Sequence, residues 1–460
     1  MQNFLNYDRS EPQKRNVLKR LKDFNEIYEV FNKSKAQVQA DRCVQCGDPY
    51  CLNACPLSNF IPQWLKKTSG KDIDFAFKIS NDTSPFPEIM GRVCPQDRLC
   101  EGDCTLNDGY GAITIGSIET FISEEGFKKG LKPKFSTKLT DKRVAVIGSG
   151  PASLSAATFL LRSGINVDMF EKDDRAGGLL TYGIPGFKLE KDVVKRRVDW
   201  LVEAGMNLHV NSDVGKDVLL EDLVSKYDAI FLGIGATKWN KARIENEDAK
   251  NSYSAMELLK DVQKGIFSDS YEKKIDVKGK NVVVIGGGDT AMDCVRTSIR
   301  EGALSVTCAY RRDEENMPGS KKEFVNATEE GAEFSFNSSP KRIITDEDGS
   351  VTGVEFLQTV MTEPDESGRS SVKIIDGSEF IVQTDILIMA LGFSPLNPEF
   401  LAKNSVKTDS RGKIEVNEAF QTSNEKIYAG GDCHRGAHLV VTAALEGREA
   451  AMAISKKLLR

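Results

Sequence analysis

The sequence predicts an α/β protein with two Rossmann-like dinucleotide-binding domains behind a mostly helical, cysteine-rich domain. Three observations lead to this fold class. The β-branched run at 144–147 leads into the turn Gly148-Ser149-Gly150, and a second run at 282–285 leads into Gly286-Gly287-Gly288. A helix-forming stretch follows each turn, which is the strand–turn–helix context that a dinucleotide fingerprint requires. Seven of the ten cysteines lie upstream of both turns.

The bulk composition is typical of a globular protein. With 460 residues, of which 40% are hydrophobic and 28% charged, the chain is long enough for about three domains. The net charge of −6 gives no reason to expect nucleic acid or an anionic membrane as a partner. The first ten residues show no secretory signal, and no apolar run approaches the roughly 18 residues of a spanning helix. We expect a cytoplasmic protein without a membrane or nucleic-acid partner.

The first glycine turn is expected to bind a dinucleotide. Gly148 and Gly150 let the backbone approach a pyrophosphate, whose charge suits the N-terminus of the following helix. Glu171 lies 21 residues after Gly150, at the end of the second strand, where a carboxylate can accept hydrogen bonds from a ribose diol. Ser153 stands where the fingerprint has Gly or Ala. The alternative is a tight turn with a solvated glutamate, and the matched spacing favours the nucleotide site.

The second glycine turn differs at the ribose position. Its second strand ends in Tyr310-Arg311-Arg312, and two guanidinium groups favour a 2′-phosphate, hence NADP over NAD. An acidic run at 313–315 follows and leaves a carboxylate contact to the ribose open. The remaining alternative is an exposed, charged strand end.

A third motif, Gly430-Gly431-Asp432, follows an apolar strand near the end of the sequence. A carboxylate there could bond the ribityl chain of a flavin, and the helix from about Leu439 could direct its N-terminus at the flavin ring. Alone, such a triplet is more often a turn. The interpretation therefore depends on the first fingerprint.

The clustered cysteines predict iron–sulfur ligation, because clustered thiols in a large cytosolic chain are ligands or redox groups rather than disulfides. The spacing is Cys43-x2-Cys46-x4-Cys51-x3-Cys55-Pro, then Cys94-Pro-x4-Cys100-x3-Cys104. The first run resembles the bacterial ferredoxin pattern, so its last cysteine is expected in a second site. Zinc is the alternative, although zinc sites usually pair two CxxC knuckles. Seven thiols leave two four-ligand clusters one ligand short.

Together these motifs resemble the small (β) subunit family of bacterial NADPH-dependent glutamate synthase. The resemblance extends over almost the whole chain. Related modules in dihydropyrimidine dehydrogenase and in electron-bifurcating NADPH–ferredoxin oxidoreductases share the shorter motifs, whereas NMPGS and the C-terminal segment favour glutamate synthase. The matching segments are Asp41-Arg42-Cys43, GRVCPQDRLCEGDCTLND, ITIGSIE, GGLLTYGIPGFKLEK, VVVIGGGDTAMDC and YRRDEENMPGS.

This resemblance implies a helical iron–sulfur domain, an FAD domain and an inserted NADPH domain, with two 4Fe-4S clusters. It implies one cluster on Cys43, Cys46, Cys51 and Cys104. It implies a second cluster on Cys55, Cys94 and Cys100, with Glu119 of the ITIGSIE segment as the eighth ligand. The implied FAD contacts are Gly148, Gly150, Ala152, Glu171, Leu179, Lys188, Val214 and Asp432. The implied NADPH contacts are Gly287, Gly288, Asp289, Thr290, Arg311 and Arg312.

We predict domain boundaries from the order of these motifs. The iron–sulfur domain is expected at 1–140, with a polar linker at 130–138. The FAD domain is expected at 141–238 and 393–460, and the NADPH domain at 239–392 is inserted between those two parts.

The resemblance also implies the function of an electron-input subunit. NADPH would be oxidised through FAD, and electrons would pass through the clusters to a large (α) subunit that forms glutamate from glutamine and 2-oxoglutarate. Hydride transfer needs orientation more than acid–base groups, so we predict no catalytic side chain. One alternative is delivery to another acceptor, such as a pyrimidine reductase or ferredoxin. Another is a flavin-bearing structural or redox-sensing protein without enzyme activity.

Overall fold

The computed structural model of the protein describes residues 2–363 and 370–460, and its N-terminal part is a bundle of short helices. The side chain of Asn32 starts one helix by accepting a hydrogen bond from the Lys35 amide. An apolar cluster around the fully buried Trp64 holds the bundle together. The helices are α1 (Val17–Arg20), α2 (Lys33–Asp41), α3 (Tyr50–Asn53), α4 (Ile61–Ser69), α5 (Ile73–Thr83), α6 (Pro87–Val93) and α7 (Ile115–Lys128).

From residue 143 the chain alternates between strands and helices. Gly164, which has a φ of +80°, follows α8 and ends it in the left-handed conformation that glycine adopts at low energy. The elements are β1 (Arg143–Ile147), α8 (Pro151–Arg162), β2 (Asn166–Phe170), α9 (Leu179–Tyr182), α10 (Lys191–Glu203), β3 (Asn207–His209), α11 (Leu220–Lys226) and β4 (Ala229–Leu232).

A second alternating stretch contains the second glycine turn. Its elements are β5 (Lys238–Trp239), β6 (Ser252–Ser254), α12 (Ala255–Phe267), β7 (Asn281–Ile285), α13 (Asp289–Arg300), β8 (Ser305–Ala309), α14 (Lys321–Glu329), β9 (Glu333–Ser335), β10 (Ser338–Thr345), β11 (Val351–Met361), β12 (Val372–Gln383) and β13 (Ile386–Met389). The chain closes with β14 (Phe393–Ser394), α15 (Glu399–Lys403), β15 (Ile427–Ala429), α16 (Asp432–Arg435) and α17 (Val440–Leu458).

Two parallel sheets carry the two glycine turns. The first has the strand order β15-β4-β1-β2-β3, and the second has the order β6-β13-β7-β8-β9. Their central strands are buried along almost their whole length, as expected for parallel sheets covered on both faces. Helix α17 packs on α8 against the first sheet. The predicted fold class is confirmed.

Insertion of the second sheet into the first follows from the topology. All strands of the second sheet lie between β4 and β15 in the chain. The two segments that connect the domains pair as the antiparallel ribbon of β5 and β14, where Trp239 pairs with Phe393. An antiparallel sheet of β10, β11 and β12, which was not predicted, lies in the chain between β9 and β13 of the second sheet. Among the described residues, no helix has both the length and the apolar character needed to cross a membrane.

A buried ionic network connects the inserted domain to the N-terminal helices. Arg296 and Arg300 donate to the carboxylate of Glu330, and Arg20 lies 2.9 Å from the same carboxylate. Burial alone would raise the pKa of Glu330, but the hydrogen bonds from the two arginines lower it to about 2. The ring of Phe187 lies under both guanidinium groups, at 4.2 and 4.1 Å. These contacts fix the inserted domain against the rest of the chain.

Candidate cofactor sites

The first glycine turn leaves room for a ligand at one position and excludes any side chain at another. Gly148 has a φ of +87°, and a Cβ there would lie 2.6 Å from the carbonyl oxygen of Gly233. A Cβ on Gly150 would meet no heavy atom within 4 Å. The turn therefore presents open backbone at the N-terminus of α8, as an anion site requires.

Glu171 lies beside this turn at the end of β2. It is buried, and its Oε1 accepts a hydrogen bond from the Asp173 amide at 2.8 Å. The Ser149 hydroxyl donates to Glu171 and accepts from the Gly177 amide at 2.9 Å. Burial raises the pKa of Glu171 above its ordinary value. Ser149, which the sequence analysis did not single out, thus connects the turn, the carboxylate and the loop before α9.

The C-terminal loop reaches the same turn. A Cβ on Gly431 would lie 2.8 Å from the Cβ of Ala152, and the Gly431 amide donates to Glu446 at 2.7 Å. Gly447 on α17 also packs against Ala152, where a Cβ would lie 2.0 Å from its carbonyl oxygen. Asp432 begins α16 directly after Gly431, and burial raises its pKa to about 7. The structure thus brings together segments that are far apart in sequence.

The other predicted FAD contacts divide into two groups. Leu179 begins α9 beside the turn, because a Cβ on the preceding Gly178 would lie 2.9 Å from the Cα of Gly150. Val214 is buried in the apolar cluster on the first sheet. Lys188 is placed differently. Its ammonium donates to Oδ1 of Asp293 on α13 at 2.9 Å, so it belongs to the contact between the two nucleotide domains.

The second glycine turn has the same construction. A Cβ on Gly286 would lie 2.4 Å from the carbonyl oxygen of Ala390, and one on Gly287 would meet the Tyr310 ring at 2.5 Å, whereas Gly288 faces open space. Helix α13 begins at Asp289, followed by Thr290. Open backbone again lies at the N-terminus of a helix, which favours an anion.

Arg311 and Arg312 follow β8 beside this turn. Arg311 is exposed, and Nε of Arg312 is buried without a hydrogen-bond partner. Within the described part of the chain, no ion pair involves either guanidinium. Asp313 instead closes its own turn, because its Oδ1 accepts from the Asn316 amide at 2.9 Å and from the Asn316 side chain at 2.7 Å. Because the Asp313 carboxylate is bound within its own turn, it is not paired with the arginines, which favours the interpretation that they bind a 2′-phosphate.

One cavity of the N-terminal domain, the first cysteine cavity, is lined by four thiols. Its remaining lining is mostly apolar, and Tyr50 at its rim is 55% exposed. The Cys46 thiol lies 3.2 Å from the Thr105 hydroxyl in an exposed contact. Burial raises the pKa of Cys51 to about 12, so its thiolate needs a compensating cation. The four thiols are those of Cys43, Cys46, Cys51 and Cys104.

A separate cavity, the second cysteine cavity, is lined by Cys55, Cys94, Cys100 and Glu119. Oε1 of Glu119 accepts a hydrogen bond from Asn59 at 2.8 Å. Burial, and then the neighbouring Glu88, raise the pKa of Glu119 to about 8.

Two further residues characterise the lining of the second cysteine cavity. Ser84 also lines it, and its buried hydroxyl has no hydrogen-bond partner in the part of the chain that the structure describes. Val441 of α17 closes the cavity on the side of the first sheet.

The donor set of both cavities fits iron–sulfur clusters. Thiolates are soft ligands and select iron–sulfur clusters, zinc or Cu(I). In the part of the chain that the structure describes, no three His, Cys, Asp or Glu side chains are arranged to hold a single metal ion. A cubane separates its four ligands, because each bonds a different iron. Each of the two voids is lined by four donors that could serve in this way.

A buried arginine that the cysteine spacing did not reveal stabilises the shape of the first cysteine cavity. Arg42, directly before Cys43, is fully buried and donates to the carbonyl oxygens of Tyr110, Gly111 and Ala112. These bonds bring the loop that follows Cys104 back to the first cysteine run. The Asp-Arg-Cys motif of the sequence was the available signal, but the role of its arginine follows only from the fold.

Comparison with known proteins agrees with this arrangement. Residues 20–131 match the family described as dihydropyrimidine dehydrogenase domain II, 4Fe-4S cluster, and residues 142–447 match pyridine nucleotide-disulphide oxidoreductase. The solved structure of Mycobacterium tuberculosis FprA in complex with NADPH has a TM-score of 0.59 at 18% identity, covering 69% of this chain and 85% of that one. The chain is thus a pyridine nucleotide-disulphide oxidoreductase with a 4Fe-4S domain.

Sequence relatives narrow this class. The glutamate synthase [NADPH] small chain of Escherichia coli is 51% identical over 456 residues, covering 97% of both chains. The corresponding protein of Azospirillum brasilense is 43% identical over 99% of this chain and 95% of its own length. The oxidoreductase AegA of Escherichia coli is 49% identical over 97% of this chain but only 69% of its own length. The chain belongs to the family of glutamate synthase [NADPH] small chains.

Proposed function

We propose that this chain is the electron-input subunit of a glutamate synthase. It oxidises NADPH through FAD and passes electrons through two 4Fe-4S clusters to a large (α) subunit, which forms glutamate from glutamine and 2-oxoglutarate. One observation carries the proposal. Seven thiols and Glu119 are divided between two separate cavities, and the domain that carries them precedes two glycine turns in the chain. A simple NADPH-dependent flavoprotein would need the turns but not the cavities.

We assign FAD to the first glycine turn. Gly148 and Gly150 admit the pyrophosphate, Glu171 accepts from a ribose, and Asp432 lies within the loop that packs on Ala152. FAD held by these residues would supply the chemistry that converts a two-electron hydride donor into single electrons for the clusters. The protein contributes placement and the exclusion of water, and it needs no acid or base side chain for this step.

We assign NADPH to the second turn and the 2′-phosphate to Arg311 and Arg312. Their guanidinium groups have no carboxylate partner among the described residues, which leaves them free for a bidentate phosphate contact. Lys188 would then act at the contact between the nucleotide domains through Asp293, and would support the relative placement of the two cofactors.

The positions of the cavities suggest an order of transfer. The second cysteine cavity borders Val441 of α17, the helix that packs on α8 behind the FAD turn. The first cysteine cavity opens toward the surface at Tyr50. Electrons would therefore enter at the second cavity and leave the chain at the first, where a large subunit would dock.

Replacement of Cys51 by serine tests the proposal. In a folded, FAD-replete Cys51→Ser protein, stopped-flow reduction of FAD by NADPH should remain near the wild-type rate, since hydride transfer needs only the two turns. Glutamate formation with the large subunit should collapse. Cys294→Ser is the matched control, because Cys294 is a buried cysteine of the inserted domain and should leave both rates unchanged. Normal glutamate synthesis by Cys51→Ser would contradict the electron path.

A second candidate function is delivery of electrons to another acceptor, such as a pyrimidine reductase or ferredoxin. AegA favours it, since a module of this kind occupies only 69% of that longer oxidoreductase. A tagged pull-down from the native cell separates the two candidates. Recovery of a large glutamine amidotransferase-type chain supports glutamate synthase, and recovery of a different redox protein in its place supports the second candidate.

A further inference from the structure

Arg98 links the loop between two proposed cluster ligands, Cys94 and Cys100, to the second glycine turn. Its Nη1 donates to the carbonyl oxygen of Pro318 at 2.9 Å. Its Nη2 lies 3.6 Å from Oδ2 of Asp289. Both partners belong to the inserted domain, so one side chain of the iron–sulfur domain reaches across to the dinucleotide site.

Both groups that this guanidinium contacts form part of the wall of the turn. Asp289 is the first residue of α13, and its Oδ1 accepts from the Ser320 amide at 2.9 Å. The Gly319 amide donates to the carbonyl oxygen of Gly287 at 2.9 Å, and a Cβ on Gly319 would lie 3.0 Å from that oxygen. The segment after Pro318 is thus packed directly on the backbone of the turn.

The charge of Asp289 opposes the proposed ligand. A helix N-terminus attracts a pyrophosphate, whereas a carboxylate in the first turn of the same helix repels one. The guanidinium of Arg98 is the cation that lies against this carboxylate on the side of the iron–sulfur domain. Since the side chains are 46% and 37% exposed, the attraction is screened by solvent but not abolished.

We propose that Arg98 is a positioning residue for NADPH that the iron–sulfur domain supplies to the inserted domain. It braces the segment at Pro318 against the glycine turn and offsets the charge of Asp289 beside the pyrophosphate. This inference rests on the proposed placement of NADPH at the second turn. It makes dinucleotide affinity depend on the loop that carries Cys94 and Cys100.

Substitution of Arg98 tests the inference through binding as well as turnover. Arg98→Ala should raise the Kd for NADP⁺ and the KM for NADPH roughly fivefold, which is about 1 kcal/mol at 1.4 kcal/mol per tenfold. The rate of flavin reduction at saturating NADPH should stay within about twofold. Arg98→Lys should restore part of the affinity, because lysine keeps the positive charge but lacks the planar guanidinium that donates to two partners at once. Arg342→Ala is the matched control, because Arg342 is an exposed arginine of the inserted domain that pairs with Glu355 at 2.7 Å, and it should change neither constant.

A double-mutant cycle separates the charge effect from a general structural one. In an Asp289→Asn background, Arg98→Ala should raise the Kd for NADP⁺ by less than about twofold, because no carboxylate remains to be offset and only the brace at Pro318 is lost. Iron content and FAD absorbance should be the same in every variant. An equal penalty in both backgrounds, or loss of iron from both Arg98 variants, would overturn the inference.

The paired replacement of Arg311 and Arg312 by alanine identifies which proposal has failed. If that variant binds NADP⁺ far more weakly while Arg98→Ala binds it normally, the inference about Arg98 is wrong and the NADPH placement stands. If neither variant changes the Kd, the placement of NADPH at the second turn is wrong.

Discussion

The two cysteine cavities differ in donors and in surroundings. The first takes four thiols, and Tyr50 brings its rim to the surface. The second takes three thiols and the Glu119 carboxylate, and it lies against the buried residues Met90 and Val441 between the iron–sulfur domain and the first sheet. We therefore call the second cavity the inner site, since it lies toward the first sheet, and the first cavity the outer site; under the proposed electron path a partner would dock at the outer site.

The largest expected effect concerns the carboxylate. If Glu119 is a ligand, Glu119→Ala should reduce the iron content from about eight to about four per chain and remove one low-temperature EPR signal. Glu119→Cys should retain both clusters, because it supplies a thiolate at the same place. Glu125→Ala is the matched control, a buried glutamate of the same helix that pairs with Lys33 and Lys128. Unchanged iron and spectra in Glu119→Ala would remove Glu119 from the ligand set.

A smaller effect should appear in the lability of the two clusters. The outer site should lose iron to a chelator first, because Cys46 lies in an exposed contact whereas the inner site is closed by buried apolar groups. Glu119→Ala, which retains only the outer cluster, should release iron roughly tenfold faster than Cys51→Ser, which retains only the inner one. Absorbance at fixed chelator concentration measures both rates. A slower loss from Glu119→Ala would reverse the assignment of inner and outer sites.

The same contrast shows how far the sequence alone could reach. Cys43, Cys46 and Cys51 lie within one short run, so spacing was enough to predict a cluster there. The proposed ligand set of the second cavity combines Cys55 with a carboxylate 64 residues later on α7, and only the fold or a known relative brings such distant residues together. A local sequence pattern contains information only about residues that are close in the chain, and most residues that line the second cavity are far apart in the chain.

The nucleotide sites follow the same rule. The turns at Gly148 and Gly286 were predictable because strand, turn and helix are consecutive, and β1 and β7 contain the predicted runs at 144–147 and 282–285. Arg98 lies far from both turns in sequence, and nothing in its local pattern indicates the contact with Pro318. The antiparallel sheet of β10 to β12 was not predicted, because it contains no dinucleotide motif.

The smallest expected effect concerns the polar groups that face the sulfur atoms. In the first cysteine cavity, Nε2 of Gln45 lies 3.3 Å from the Cys43 thiol, and in the second, the buried Ser84 hydroxyl has no partner among the described residues. A hydrogen bond to cluster sulfur stabilises the more negative, reduced state and so raises the reduction potential. A buried hydroxyl without an acceptor is costly, which makes cluster sulfur the expected acceptor for Ser84.

Each substitution should therefore lower the potential of one cluster only. Ser84→Ala should lower the potential of the inner cluster, and Gln45→Leu that of the outer one, each by roughly a few tens of millivolts. EPR-monitored redox titration measures both clusters in the same sample, so each variant serves as the control for the other. Equal shifts of both clusters in Ser84→Ala would mean that the hydroxyl acts on the fold rather than on a particular cluster. An unchanged inner potential would mean that the hydroxyl bonds another group, and the second cavity would then owe its properties to Glu119 and burial alone.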